Sequence, residues 1–225
     1  DLFSFDPTVK ETLRSKKWDL RYRELFAYVR EHGDANVPKQ YEPNPQLGPW
    51  VHDQRHFYKT KKLQKDLGDK VRHGYFKGMR LPKAMSWGET DRVSMLLGYY
   101  EIEVLKAIYS SPIKYDTFID LGAADGYYAV GLLHAKIAKK AICFEISEKG
   151  QRAIKENWIM NEGPGELEIY GEANEQSIAS VATKLSQNTL VLIDVEGFEF
   201  HLLSQEVISV LGKCRMVIEI HNWMD

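Results

Sequence analysis

The chain has 225 residues, which at about 150 per domain makes one large domain or one domain with a small companion. Apolar residues at 44%, charged at 28% and aromatic at 12% exclude a wholly disordered, collagenous or disulfide-scaffold protein. The formal net charge of −2 hides an asymmetry: residues 1–80 hold 17 Lys/Arg against 11 Asp/Glu, and residues 81–225 hold 13 against 21. A basic stretch interleaved with aromatics favours phosphate-bearing partners, with a solvated face as the plainer reading. No run reaches the roughly 18 apolar residues of a membrane span, and DLFSFDPTVK lacks a secretory pattern. The start at Asp1 and the end just after an apolar run suit an excerpt of a longer protein. Cys143 and Cys214, far apart and without CxxC spacing, read as buried free thiols of a reducing compartment, the cytoplasm or an organelle matrix.

In chain order, residues 9–31 place Trp18, Tyr22, Leu25 and Val29 on one stripe of an amphipathic helix, which Gly33 stops. After the loop NVPKQYEPNPQLG, the run PWVHDQRHFYKTKKLQKDL predicts a second helix, with Trp50, Val51, Phe57 and Tyr58 amid many cations. No strand pattern precedes residue 66. From about residue 116 the pattern becomes DTFIDLG, AVGLLHAKIA, KAICFEIS, GQRAIKENWIMNE, ELEIYGE, SIASVATKL, TLVLIDVEG, FHLLSQEVISVL and CRMVIEIHNW. Strands buried on both faces read as continuous apolar runs, so this alternation predicts an α/β domain with a doubly wound parallel sheet.

In such a sheet, ligands bind beyond the carboxyl ends of the strands at the switch point, here after Asp120 in FIDLGAADGYY. Gly122 and Gly126 permit a tight turn and close backbone approach. The pattern is neither GxGxxG nor GxxxxGK[ST]. Glu145 closes the next apolar run, where a carboxylate can accept from ribose hydroxyls, and a carboxylate near the first loop can hold an ammonium. An amino-acid head plus a ribose describes S-adenosyl-L-methionine. The alternative for DxGxxxG is a plain turn after a strand.

Residues 15–66 resemble the helicase-associated domain, a small all-helical module, through Trp18, Tyr22, His32, Gly33, Asn36, Val37, Pro38, Leu47, Gly48, Trp50, Val51 and Arg55. The resemblance implies a nucleic-acid-binding accessory role. The family's final helix is replaced here by DKVRHGYFKG. Candidate contacts are Arg21, Arg23, Arg55, Lys59, Lys61 and Lys62, which flank the apolar stripes. Trp18 and Trp50 read as core residues rather than base-stacking platforms.

Residues 98–103 (GYYEIE), 120–128 (DLGAADGYY), 145, 194–199 (DVEGFE) and 217–221 (VIEIH) resemble the FkbM-type S-adenosylmethionine-dependent methyltransferases over about residues 71–225. The resemblance implies a class I, Rossmann-like methyltransferase fold and methyl transfer to a hydroxyl of a small acceptor such as a sugar. It places Asp120, Gly122, Ala123 and Gly126 in the methionine pocket, Glu145 on the ribose, Ala173 and Asn174 beside the adenine, and Asp194 at the reacting end. Tyr100 and Glu101, expected in the helix leading into the first strand, would cover the cofactor. The fold normally adds two strands after the fifth, so an open sheet edge is expected unless a partner covers it. The expected division is residues 1–66 and 67–225.

Methyl transfer from a sulfonium is an in-line displacement that needs alignment and removal of the acceptor proton. Asp194, Glu196 and His221 lie at adjacent strand ends, so one of them is the expected base, with a merely hydrogen-bonded His221 as the alternative. No metal is expected: His221 with Asp194 and Glu196 has ligand types and His52 with His56 has i, i+4 spacing, but both are weak signals, and HDQRH lacks the glutamate of HExxH in cationic surroundings. The competing readings are a nucleic-acid-binding protein and a structural subunit of a larger assembly. DVEG, in place of an Asn/Asp-Pro-Pro-Tyr motif after the fourth strand, tells against base methylation.

Overall fold

The computed structural model describes residues 13–83, 91–110 and 113–221, with side chains from residue 20 onward except at 57 and 58. Residues 9–12 of the expected first helix, the stripe position of Trp18, the side chains of Phe57 and Tyr58, and the end of CRMVIEIHNW therefore lie outside the described residues. The chain divides into two compact units, Asp1–Leu63 and Gln64–Asp225.

The first unit is built on α1 (Leu13–His32) and most of α2 (Leu47–Leu67). Gly33, at φ +82°, ends α1 by donating its N–H to the Val29 carbonyl at 2.8 Å. Val37, Leu47 and Val51 are buried, with Leu25, Tyr28, Tyr41 and Trp50 packed around them. Tyr28 thus joins Leu25 on the packed face. Gly48 sits where any Cβ would strike the Pro38 carbonyl oxygen at 2.1 Å, so the Pro-rich loop lies directly on the start of α2.

The second unit begins with a turn closed by the Lys70–Arg80 bridge, whose Val71, Phe76, Met79 and Leu81 are buried. DKVRHGYFKG thus contributes core to this unit. After α3 (Arg92–Leu97) and α4 (Ile102–Tyr109) the strands and helices alternate as read: β1 (Tyr115–Leu121), α5 (Tyr127–His134), β2 (Ala138–Phe144), α6 (Glu148–Met160), β3 (Glu166–Tyr170), α7 (Glu175–Ser180) with a 3-10 turn at Ala182–Lys184, β4 (Thr189–Ile193), α8 (Glu199–Leu202), α9 (Gln205–Leu211) and β5 (Arg215–Ile218). AVGLLHAKIA divides differently from its sequence reading, because α5 stops at His134 and Ala138 already opens β2.

All pairings are parallel and the order is β3-β2-β1-β4-β5. This is a Rossmann-like, doubly wound sheet. β4 is buried along its whole length and β1 at every position but Asp116, because helices cover both faces. One core layer includes Phe118, Val130, Leu132 and Leu190, and the other Ile119, Leu121, Ile142 and Val191. Ser147 and Ser204 cap α6 and α9, and Asn174 with Ser177 forms a capping box on α7. β5 is an edge strand of the described sheet. Cys143 and Cys214 are both free thiols, the first buried and the second half-buried. Among the described residues no helix is long and apolar enough to cross a membrane.

Candidate active site

The strand order reverses between β1 and β4, so the crevice at a switch point belongs at their carboxyl ends. A cavity of about 160 Å³ lies there, lined among others by Tyr100, Asp120, Gly122, Ala123, Asp194 and Glu196. Gly122 makes the crossing possible. Its φ is +93°, and a Cβ there would stand 1.8 Å from the backbone oxygen of Asp194, so only glycine lets the β1 and β4 loops pass. Gly126, at φ +74°, occupies the N-cap of α5.

The walls are acidic. Asp120 is 2% exposed, and burial, then repulsion from Asp194, pushes its carboxyl up to about 8. Burial, followed by the charges of Glu219, Glu101 and Glu196, raises Asp194 to about 7. Tyr100 is raised mainly by burial and then by its hydrogen bond with Glu101. No Lys or Arg lines this cavity among the described residues.

Tyr100 and Glu101 are not inside a helix leading into β1, contrary to the sequence expectation. They form the turn between α3 and α4, where Glu101 is the N-cap residue at φ +41° and accepts a hydrogen bond from the Tyr128 hydroxyl at 2.5 Å. Glu145 is 6% exposed and does not line the cavity. Its two oxygens accept from the Ala124 N–H at 2.9 Å and the Ser147 N–H at 2.8 Å, tying the β1 loop to the β2 loop. Gly150 leaves room for it, since a Cβ there would stand 2.6 Å from the Glu145 Cγ. Ala173 and Asn174 line a second, more open cavity of about 390 Å³ together with Phe198 and His201, whose rings stack at 4.9 Å. The Asn174 side chain itself accepts from the Ser177 N–H.

Asp194, Glu196 and His221 come together across β4 and β5. The His221 Nε2 lies 3.8 Å from Asp194 Oδ1 and 3.8 Å from Glu196 Oε2. Its Nδ1 stands 3.0 Å from Glu199 Oε1, and this bond leads the causes that raise the imidazole above its ordinary pKa. Glu199 was visible in DVEGFE without an assignable role. Its burial, at 1% exposed, and its hold on His221 appear only once α8 is folded under the β4 loop. Asp91, which also lines the first cavity, carried no sequence signal beyond its residue type, and Tyr128 closed the DLGAADGYY motif without an assigned role.

Of the cations singled out in the first unit, Arg23, Arg55, Lys59, Lys61 and Lys62 are exposed. Arg55 donates to the Ala35 carbonyl at 2.7 Å and to Asn36 Oδ1 at 3.1 Å, bracing the loop after α1. Arg21 is a correction: it is buried, and its guanidinium is taken by Glu24 and Gln46, because α1 turns it toward the start of α2. His52 and His56 are exposed on α2.

Comparison with known proteins finds the Helicase associated domain family on residues 15–73. No curated protein matches the chain. Among solved structures, yhhF from Escherichia coli, described as a methyltransferase, is 20% identical over 68% of this chain and 78% of its own, with a TM-score of 0.44. A protein from Haemophilus influenzae described as a methylase is 19% identical over 67% and 76%, with a TM-score of 0.40. An O-methyltransferase family protein from Burkholderia thailandensis is 13% identical over 74% of this chain and 48% of its own, with a TM-score of 0.35. Likeness at these levels decides neither substrate nor chemistry.

Proposed function

We propose that the second unit is an S-adenosyl-L-methionine-dependent methyltransferase acting on a hydroxyl of a small acceptor, in line with its FkbM-type motifs. One observation carries the reading: among the described residues the switch-point cavity is walled by carboxylates without a lining Lys or Arg, which suits a ligand bearing positive charge and opposes one bearing phosphates. Asp194 Oδ1, buried and without a hydrogen-bond donor, is one acceptor such a ligand would satisfy. Asp120 and the backbone of residues 122–126 would hold the amino-acid end, and Tyr100 with Glu101 would close over it. Glu145 would act on the ribose while holding the β1 loop, and the cavity bounded by Ala173, Asn174 and Phe198 would take the adenine. The bound cofactor supplies an electrophilic methyl group.

The chain's own part is alignment and proton removal. With Nδ1–H donated to Glu199, the neutral His221 ring carries its lone pair on Nε2, facing Asp194 and Glu196. That nitrogen would accept the proton of the acceptor hydroxyl, and Asp194 and Glu196 would orient that hydroxyl.

Thermal melts of the full chain with S-adenosyl-L-methionine, S-adenosylhomocysteine and NAD test the cofactor. Ligand at 100 times its Kd stabilises the native state by about 2.7 kcal/mol. A rise with the first two alone is expected, and no rise with either overturns the reading. Mass spectrometry of products made with methyl-labelled cofactor tests the acceptor, and label solely on a nucleobase nitrogen overturns the hydroxyl assignment.

A second reading concerns the first unit, where the family match to residues 15–73 and the exposed Arg23, Lys59 and Lys62 favour sequence-independent nucleic-acid binding. Affinity for duplex DNA would then fall with a log–log salt slope of about −0.9 per phosphate contacted. Absence of a mobility shift at low salt leaves a solvated module or a subunit of a larger assembly.

A further inference from the structure

We propose that the carboxyl ends of β4 and β5 hold one divalent transition-metal ion between Asp194, Glu196 and the Nε2 nitrogen of His221. The ligand atoms of these three side chains lie within 4.8 Å of one another. Separations of 3.8 Å from Nε2 to each carboxylate oxygen are too long for hydrogen bonds. They match two donors on one ion, because ligands about 2.0–2.2 Å from a common centre stand roughly 3 to 4.4 Å apart.

Two further observations point to a ligand at this place. The first is the support of the imidazole. Glu199, 1% exposed, takes the Nδ1 side of His221 at 3.0 Å while accepting from the Gly197 N–H at 3.0 Å and the Val195 N–H at 3.3 Å. A buried carboxylate behind a histidine fixes the tautomer that offers Nε2 to a metal. The second is unmet acceptor capacity. Buried side-chain polar atoms without a partner are rare, and two of the three among the described residues, Asp194 Oδ1 and Glu199 Oε2, belong to this cluster. Glu101 and Glu219 converge on the same Asp194 in a second group of ligand geometry, so the negative charge gathered here exceeds what His221 offsets.

The donor set selects the ion. One imidazole with carboxylates suits Zn²⁺, Co²⁺, Fe²⁺ or Mn²⁺, whereas Ca²⁺ and Mg²⁺ favour all-oxygen shells. Such an ion is a Lewis acid able to lower the pKa of a coordinated water or hydroxyl. With it bound, His221 is a ligand and no longer the base.

The test uses the full chain freed of metal by dialysis against a chelator, with no cofactor present, so its outcome is independent of the methyl-transfer reading. Co²⁺ is titrated by its visible absorption and displaced with Zn²⁺. Expected are one equivalent of Co²⁺ lost on displacement, at least tenfold weaker binding in His221→Ala and Glu196→Gln, and unchanged binding in His52→Ala, which controls for the exposed pair on α2. Glu196 has a side chain 70% exposed, so its variant reads the ligand role apart from folding. Glu199→Gln, a change at a positioning residue, weakens binding about tenfold. A chain that binds neither ion, or that binds Co²⁺ equally well with Glu196→Gln and His221→Ala, overturns the site. So does displacement by Mg²⁺ as readily as by Zn²⁺.

Discussion

Two regions of the parallel sheet treat carboxylates in opposite ways. At the start of β1 and along the β3 edge the acids have lysines: Asp116 meets Lys139 at 2.6 Å, and Glu168 meets Lys140 and Lys184 at 2.5 Å each. Hydrogen bonds from those lysines hold both acids below their ordinary range, Glu168 at about 2. Toward the end of the strands, Asp120, Asp194 and Glu219 are all raised, chiefly by burial and then by one another and their acidic neighbours. A carboxylate matched by a cation within the chain is already satisfied. One buried among its own kind destabilises the fold unless a proton, an ion or a cationic ligand joins it, and sites of that kind are functional candidates.

The largest effect comes from filling the crossing that forms the acidic end. Gly122→Ala puts a methyl 1.8 Å from the Asp194 oxygen at a φ of +93°, so the β1 and β4 loops must part. A loss of at least about 2 kcal/mol in urea unfolding is expected, whereas Gly171→Ala, with nothing near its Cβ, serves as a mild reference. Equal stability of the two variants would mean that the crossing does not build the crevice.

Removing one unmatched charge has an intermediate effect of opposite sign. Asp194 titrates near 7 in the folded chain and at its ordinary 3.8 when unfolded, so between those values the folded state binds more protons. Stability therefore falls as pH rises from about 4 to about 7. Asp194→Asn should remove its share of that descent, leaving the share set by Asp120 and Glu219, and gain on the order of 2 kcal/mol at pH 8, after allowance for screening at the open side of the crevice. Cofactor binding or turnover should fall in the same variant. Urea midpoints at pH 5 and pH 8 decide it: an unchanged pH slope would show that Asp194 is already compensated and would remove the contrast between the two regions.

How legible this was from sequence depends on the range of the interaction. FIDL, AICF and VLI read as strands because burial on both faces leaves continuous apolar runs, and glycine after a strand marks a loop wherever that strand pairs. Asp120, Asp194 and His221 could be placed at strand ends because the alternation itself counts out those ends. Register could not be read. Only the pairing of Lys140 with Glu166 and Ala141 with Leu167 brings the Lys140 ammonium to Glu168. The partners of Glu101, Glu145, Glu199 and Arg21 escaped for a shared reason: what each carboxylate or guanidinium does depends on which backbone N–H, hydroxyl or amide folding turns toward it, and neighbouring letters do not encode that. Arg21 in particular shares its residue type with exposed Arg23 and differs only by the face of α1 it occupies.

The smallest effect belongs to the matched β3 edge, where Lys140→Ala removes one of the two lysines on Glu168. Lys184 stays at 2.5 Å, and the Tyr170 hydroxyl still donates to the same carboxylate at 2.8 Å, so no buried charge is abandoned. Partly exposed ion pairs contribute about 0–1 kcal/mol, and a loss below 1 kcal/mol at pH 7 is expected. The pH dependence is more telling than the size. A depressed carboxyl stabilises the fold fully above its unfolded value of 4.5 and loses that contribution as pH falls toward 2. With Lys140 gone, Glu168 protonates at higher pH, so the acid descent should become shallower while the upper descent set by Asp194, Asp120 and Glu219 stays as it was. Urea midpoints from pH 2.5 to pH 8 separate the two limbs. A change in the upper limb on Lys140→Ala would mean that the β3 edge and the crevice are electrostatically coupled across the sheet, and that the acidity of the crevice is a property of the whole unit instead of a local one.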